Sequence, residues 1–95
     1  MLVACGGALD SVEGPKTGAV SGFVCNDLPT LSAGVEVPAI QNTLIKDGKC
    51  LHLRTRAQVN FVRTVMMPGD GQYSQFEYVA QGAAQKLWIR TANVR

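Results

Sequence analysis

The pattern of apolar and polar residues changes near residue 49 and divides the chain into two halves. In the second half, apolar and polar residues alternate with the period of two that is typical of a half-buried strand. This alternation predicts strands at residues 50–54, 58–65, 73–80 and 86–90, with a last half-strand within 91–95. Short antiparallel strands at this spacing favour a small barrel over a sandwich, which needs more strands than the chain supplies.

The first half predicts a short strand followed by helices. An apolar run at 22–25 fits a buried strand, and residues 26–29 are typical of a helix start, with side-chain oxygens to cap free N–H groups and a proline in the first turn. Residues 38–46 predict a second helix, with Gly48 suited to the position just past its end. The alternative for 35–45 is a strand, which the β-branched residues there favour. We expect two short helices.

Composition sets the domain count. A chain of 95 residues with 46% hydrophobic and 17% charged residues is typical of one globular domain and not of a disordered chain. No apolar run reaches the ~18 residues of a membrane-spanning helix. Residues 1–21 are rich in glycine, alanine and serine without a sustained period, so we expect a leader or tether with at most a short strand near 18–21. Residues 22–95 are then the single domain.

Three cysteines constrain the compartment. The run LVAC at residues 2–5, followed by two glycines, resembles the lipobox of bacterial lipoproteins and implies lipidation of Cys5. Only four residues precede Cys5, so the charged and apolar regions of a signal peptide are missing, and the alternative is a leader with a spare thiol. Cys25 and Cys50 flank the helical segment between two strands that should be neighbours, which predicts a disulfide. In the cytosol they would instead be buried thiols.

Charge is distributed unevenly. Residues 1–47 contain two lysines and five acidic residues, whereas residues 48–95 contain seven lysines and arginines and two acidic residues. Such asymmetry indicates either an anion-binding face or two halves of one fold that attract each other.

The last predicted strand carries the candidate aromatic residue. If Leu87 and Ile89 point inward, Trp88 points outward between Lys86 and Arg90. An exposed tryptophan flanked by two cations can stack on a sugar or a base and pair with an anion. The alternative is that Trp88 is a core residue, which the size of its ring favours.

Further cations follow the earlier strands. Arg54 and Arg56 share one face with His52 at a period of two, and Arg63 can join them from the neighbouring strand. This is either a basic stripe or a solvated face. The candidate binding residues are therefore Arg54, Arg56, Arg63, Lys86, Trp88 and Arg90.

Catalytic and metal chemistry have few candidate residues. His52 is the single histidine, no carboxylate lies near it in the sequence, and no two cysteines have the spacing of a zinc or redox site. We therefore expect no catalytic residues, no metal and no cofactor.

Three segments together carry a family resemblance. FVC at 23–25, GKC at 48–50 and LWI at 87–89, with the strands between them, resemble the small bacterial SH3-like proteins over residues 22–95. Members of this family place a cysteine-closed helical excursion ahead of a curled five-stranded barrel and are mostly exported. Residues 55–59 lack the glycine that the family usually has before its second strand. The resemblance implies a fold and a compartment.

Two function hypotheses follow. The first is a non-enzymatic binding module of the bacterial cell envelope that contacts peptidoglycan or an envelope protein. It would be periplasmic or anchored to the outer membrane through a lipid on Cys5, its only membrane contact. The alternative is a small basic nucleic-acid-binding β-barrel in the cytoplasm, which would use the candidate cations around Trp88. A disulfide favours the first hypothesis, and reduced thiols favour the second.

Overall fold

The structure is a computed structural model that describes residues 10–80 and 82–94. The elements along the chain are β1 (Asp10–Val12), β2 (Thr17–Cys25), α1 (Leu28–Gly34), α2 (Pro38–Lys46), β3 (Cys50–Met67), β4 (Gly71–Ala80), β5 (Ala83–Arg90) and a 3-10 turn at Thr91–Asn93. The fold is mainly β, with five antiparallel strands and two helices between Cys25 and Cys50, as the sequence predicts.

β3 is the long central strand. The sequence predicts two strands here, but residues 50–67 form one strand of 18 residues. The predicted gap at 55–57 is a register shift against β2, in which Ser21 alone lies opposite residues 54–56. Gly22 follows at φ 95°, a backbone conformation that side chains disfavour. β3 therefore continues through residues 54–56 without a turn, because the extra residues are accommodated by the register shift against β2.

The strand pairings form a circuit. β1 and β2 pair with β3 in succession, whereas β4 pairs with the second half of β3. β5 pairs with β4 along its whole length and with β2 at one position, where Cys25 lies opposite Trp88. The pairings thus lead from β3 through β2, β5 and β4 back to β3, and the sheet has two distinct faces.

The sheet begins earlier than predicted. β1 and the first half of β2 lie within residues 1–21, which we expected to be a leader with at most a short strand. Their glycine, alanine and serine content hides the strand period, because Val20 is the one fully buried apolar side chain among the described residues 11–22. Between β1 and β2, a Cβ on Gly14 would lie 2.6 Å from the Cβ of Thr64, so this crossing requires a glycine.

The end of the chain also differs from the prediction. In place of the half-strand within 91–95, the structure has the 3-10 turn Thr91–Asn93. The Thr91 hydroxyl bonds to the Ser74 hydroxyl at 2.8 Å, and Ser74 bonds to the Thr64 hydroxyl at 2.8 Å. These bonds hold the turn against the buried part of β3 and β4 and satisfy two buried hydroxyl groups.

Both predicted helices are confirmed, and the competing strand over 35–45 is not formed. α2 ends as predicted: Gly48 has φ 77°, its N–H donates to the carbonyl of Ile45, and the next N–H donates to the carbonyl of Leu44. The start of α1 differs, because the Asp27 side chain makes no cap bond to the helix backbone and accepts a hydrogen bond from the Thr30 hydroxyl.

Apolar side chains collect in two clusters on opposite faces of the sheet. The helix-side core consists of Phe23, Cys25, Leu28, Leu31, Cys50, Val65, Tyr73 and Trp88. The sheet-side core consists of Val20, Val24, Leu53, Val59, Phe76, Leu87 and Ile89. β5 contributes to both, since Trp88 faces one core while its two neighbours face the other.

Candidate binding site

The disulfide fixes the two ends of the helical segment. Cys25 and Cys50 are bonded, as predicted, and lie directly opposite each other at the ends of β2 and β3. Both are fully buried in the helix-side core. α1 and α2 therefore leave and re-enter the sheet at one covalently fixed point. The candidate lipidation site Cys5 lies outside the described residues.

Trp88 is a core residue and offers no exposed ring for stacking. Its exposed fraction is 5%, as in the core alternative, because β5 is buried on both faces near its end. A cation does approach it: the guanidinium carbon of Arg63 lies 5.4 Å from the ring centroid, across Gln75 of β4. The contact is a cation–π interaction at the edge of the helix-side core.

Arg90 is engaged within the protein. Its guanidinium forms an ion pair with Glu36, lies 3.5 Å from a carboxylate oxygen of Asp70, and sits 5.9 Å above the ring centroid of Tyr73. The hydrogen bond to Glu36 is the main cause that raises the pKa of Arg90; burial opposes it, and the charges of its neighbours add to it. Arg90 therefore acts as a link between the helical segment and the sheet.

Asp70 is the acceptor at the centre of the same cluster. The hydroxyls of Ser32 and Tyr73 both donate to one of its carboxylate oxygens, the Tyr73 bond being 2.9 Å long. The Ser32 bond first, and then the Tyr73 bond, lower the pKa of Asp70, and Arg90 adds to this effect. Burial is the main cause that raises the pKa of Tyr73. We call Ser32, Glu36, Asp70, Tyr73 and Arg90 the polar clamp.

Sequence reasoning missed the polar clamp for a simple reason. Its hydrogen bonds join residues up to 54 positions apart, so no local spacing signals it. The proline and two glycines at 68–71 predict a turn, but nothing in this segment shows that Asp70 faces α1.

The remaining candidate cations are exposed. Arg54 and Arg56 lie on β3 in the irregular stretch opposite Ser21, Arg63 lies on β3 just after a register shift against β4, and Lys86 lies on β5. Among residues 10–80 and 82–94, no carboxylate lies within ion-pair distance of these four side chains. Four of the six candidates therefore remain available to an anionic partner.

A groove lies beside Arg54, between α2 and the irregular part of the β2–β3 pair. It has a volume of about 850 Å³ and is open to solvent. Its lining includes Ser21, Gly22, Gln41, Asn42, Ile45 and residues 51–54. Of these residues the sequence predicts only Arg54 as a binding residue, and it does not predict the α2 amides, which reach the groove through tertiary packing.

Two further findings concern the described part of the chain. No three histidine, cysteine or acidic side chains come together there as a metal site would require. No helix there has the length and apolar character to cross a membrane.

Comparisons with protein-family models, with curated proteins and with solved structures gave no match. The likeness to small bacterial SH3-like proteins therefore stays a prediction based on the segments within residues 22–95.

Proposed function

We propose that this chain is a non-enzymatic binding module of the bacterial cell envelope and that its ligand is peptidoglycan. The observation that carries the proposal is that Arg54 and Arg56 are exposed, have no carboxylate partner within residues 10–80 and 82–94, and lie on a strand anchored by a buried disulfide. Lipidation of Cys5 would attach such a module to the outer membrane.

The disulfide supports the compartment. Disulfides persist in oxidising compartments such as the periplasm and are rare in the cytosol. Because both cysteines are fully buried, the disulfide is part of the folded core and is not a solvent-exposed redox site.

The topology is compatible with an SH3-like barrel. Five antiparallel strands, a pairing circuit through β2, β3, β4 and β5, and a helical excursion closed by two cysteines are the features that the resemblance implies. We propose the barrel on these grounds: four strands form the circuit, and β1, the fifth strand, pairs along the edge of β3 outside it.

The charge pattern supports an anionic ligand. Arg54 and Arg56 are exposed on β3 with no carboxylate partner among the described residues, so their charges are available to a ligand. Peptidoglycan presents carboxylates on its peptide stems, and a guanidinium can donate two parallel hydrogen bonds to a carboxylate.

Co-sedimentation with insoluble peptidoglycan tests the proposal. The wild-type protein should pellet with the polymer, and raising the salt concentration should release it. Arg54→Glu with Arg56→Glu should abolish the pelleting. Lys46→Glu with Lys49→Glu, an equal change of charge at two other exposed sites, should retain most of it. Equal losses in the two double variants would mean that net charge alone drives retention and would contradict the proposal.

A salt titration on a fluorescent oligonucleotide tests the cytoplasmic alternative. Four exposed cations favour that alternative, whereas the burial of Trp88 removes its stacking platform. We expect affinity of about 10⁻⁴ M or weaker at physiological salt, which is ordinary non-specific attraction. Submicromolar binding that Arg54→Ala weakens would favour the nucleic-acid function over the envelope function.

A further inference from the structure

The groove beside α2 has the chemistry of a specific ligand site. Among the residues that the structure describes, His52 and Arg54 are its only ionisable lining residues, and none of the lining residues is a carboxylate. An anionic group that enters the groove therefore meets no like charge from the lining and one guanidinium whose donors have no partner among the described residues. Charge alone selects an anion.

The side-chain amides of Gln41 and Asn42 on α2 favour a ligand that also carries a hydrogen-bond donor. The Gln41 side-chain nitrogen donates to the carbonyls of Gly34 at 2.9 Å and of Val35 at 3.3 Å. This use of the nitrogen leaves the amide oxygen as the group that can still accept. Asn42, one position further, is exposed and offers both a donor and an acceptor. A bare anion would leave these acceptors unused, whereas a ligand with N–H groups next to its anion would use them.

Other lining residues are apolar and leave space for a small group. Ile45, Leu51 and Leu53 contribute hydrocarbon surface that is half-buried or nearly buried. Gly22 has no side chain, and a Cβ built there would meet nothing within 4 Å. A small apolar group such as a methyl side chain can therefore lie on this part of the groove.

We propose that the groove binds the carboxyl-terminal end of a short peptide whose last residue has a small apolar side chain. The terminal carboxylate would pair with the Arg54 guanidinium, the last amide N–H would donate to the Gln41 side-chain oxygen, and the methyl group would lie against Ile45. In peptidoglycan the alanine-terminated stem peptide has this chemistry, so the identity of the source rests on the proposed function.

A matched pair of peptides tests the assignment. The probes are diacetyl-lysyl-D-alanyl-D-alanine and the same peptide with a carboxyl-terminal amide, titrated into the full chain by calorimetry and by amide NMR. We expect chemical-shift changes to concentrate on α2 and on residues 51–54, and the amide to bind at least tenfold more weakly. Equal affinities for the acid and the amide would overturn the proposal, as would inorganic phosphate that competes at the affinity of the peptide.

The variants separate the groove from the general cationic face. Arg54→Gln should weaken the peptide at least tenfold and Asn42→Ala severalfold, whereas Arg56→Gln, two positions along β3 but outside the lining, should change affinity less than twofold. All three positions are exposed, and unchanged thermal unfolding of each variant verifies the fold. Equal effects of Arg54→Gln and Arg56→Gln would overturn the groove assignment.

The two proposals fail in different ways. If the protein pellets with peptidoglycan but does not bind the free peptide, the groove assignment is wrong and the envelope function stands. If it binds the peptide in a manner that depends on Arg54 but does not pellet with peptidoglycan, the groove is a peptide site and the envelope source is wrong.

Discussion

The helix-side core and the sheet-side core are stabilised in different ways. The sheet-side core is built only from strand residues, and its centre is Phe76, fully buried and in edge-to-face contact with Phe61 at 6.1 Å between ring centroids. The helix-side core depends on a thin layer: α1 contributes three buried residues and α2 none. α2 packs there only through the half-buried Leu44 and Ile45.

The helical layer compensates for its small apolar contact area with directional bonds. The Cys25–Cys50 disulfide fixes its two ends, and the polar clamp joins Ser32 and Glu36 to the sheet. Burial of apolar side chains stabilises the domain as a whole, whereas each of these few bonds can be removed by a single substitution. The layer that carries the proposed peptide groove is therefore also the part whose local opening should require the least free energy.

Truncation in the sheet-side core should have the largest effect. Phe76→Ala removes a ring that is 0% exposed, and such truncations cost about 3–5 kcal/mol of unfolding free energy because a cavity remains. Phe61→Ala, at a half-buried position on the opposite strand, should cost clearly less. Urea unfolding followed by circular dichroism and tryptophan fluorescence measures both, and equal losses would contradict the assignment of Phe76 to the centre of this core.

Removal of the disulfide should cause the next largest loss of stability and should act mainly on α1 and α2. Cys25→Ser with Cys50→Ser opens a loop with a sequence separation of 25. The chain-entropy model assigns such a loop about 3.5 kcal/mol. Hydrogen exchange should accelerate in α1 and α2 more than in β4 and β5. Uniform acceleration across the domain would show that the two cores are not separate in stability.

The oxidation state itself is checked by alkylation of the denatured, unreduced wild-type protein. Mass spectrometry should find at most one modified cysteine, Cys5. Two additional modified cysteines would mean that the bond is absent in the purified protein.

Overpacking at Gly14, which lies between β1 and β2, should have a smaller effect on the free energy of unfolding. Gly14→Ala places a methyl group 2.6 Å from the Cβ of Thr64, and overpacking of this kind costs about 1–3 kcal/mol. Thr64→Ala removes part of the overlap, so the double variant should lose less stability than the sum of the single variants. Purely additive losses would show that Gly14 and Thr64 are not in contact in solution.

The strands were predictable where burial follows a simple alternation and not where both faces are buried. Residues 51–54 of β3 and 76–79 of β4 alternate between more and less buried side chains, and the sequence shows this alternation. At 87–89 three consecutive residues are buried, which is the pattern of a strand covered on both faces, so alternation could not decide where Trp88 points. The sequence predicts a gap between strands at 55–57 where β3 in fact continues, because the residue that accommodates the irregularity, Ser21, lies far away in the sequence.

The candidate site was predictable only for its exposed cations. Arg54 and Arg56 stand two positions apart, so strand geometry predicts a common face. The roles of Arg90 and Gln41 depend on partners in other elements, Glu36 for the arginine and the carbonyl of Gly34 for the amide. Long-range contacts of this type leave no period in the sequence, which is why the polar clamp and the groove emerge only from the fold.

Disruption of the polar clamp should lower the free energy of unfolding the least, and the loss should depend on pH. Because the folded state lowers the pKa of Asp70 from its ordinary value of 3.8, its ionised form stabilises the fold at pH values above that value. This contribution is lost as the pH falls through the lower, folded-state pKa, since both states then bind the proton. Asp70→Asn removes the pH-linked contribution, which for a partly exposed group should be at most about 1 kcal/mol.

Unfolding measured between pH 7 and pH 2 separates the clamp from the acid sensitivity of the whole chain. The stability difference between wild type and Asp70→Asn should be largest near neutral pH and should shrink below pH 3.8. Asp47→Asn is the matched control, because Asp47 is an exposed carboxylate outside the clamp. Hydrogen exchange should locate the effect in α1, which Ser32 ties to Asp70. If Asp70→Asn instead loosens β4 and β5 while α1 stays protected, the clamp stabilises the hairpin and not the helical layer, and the division between the two cores needs another explanation.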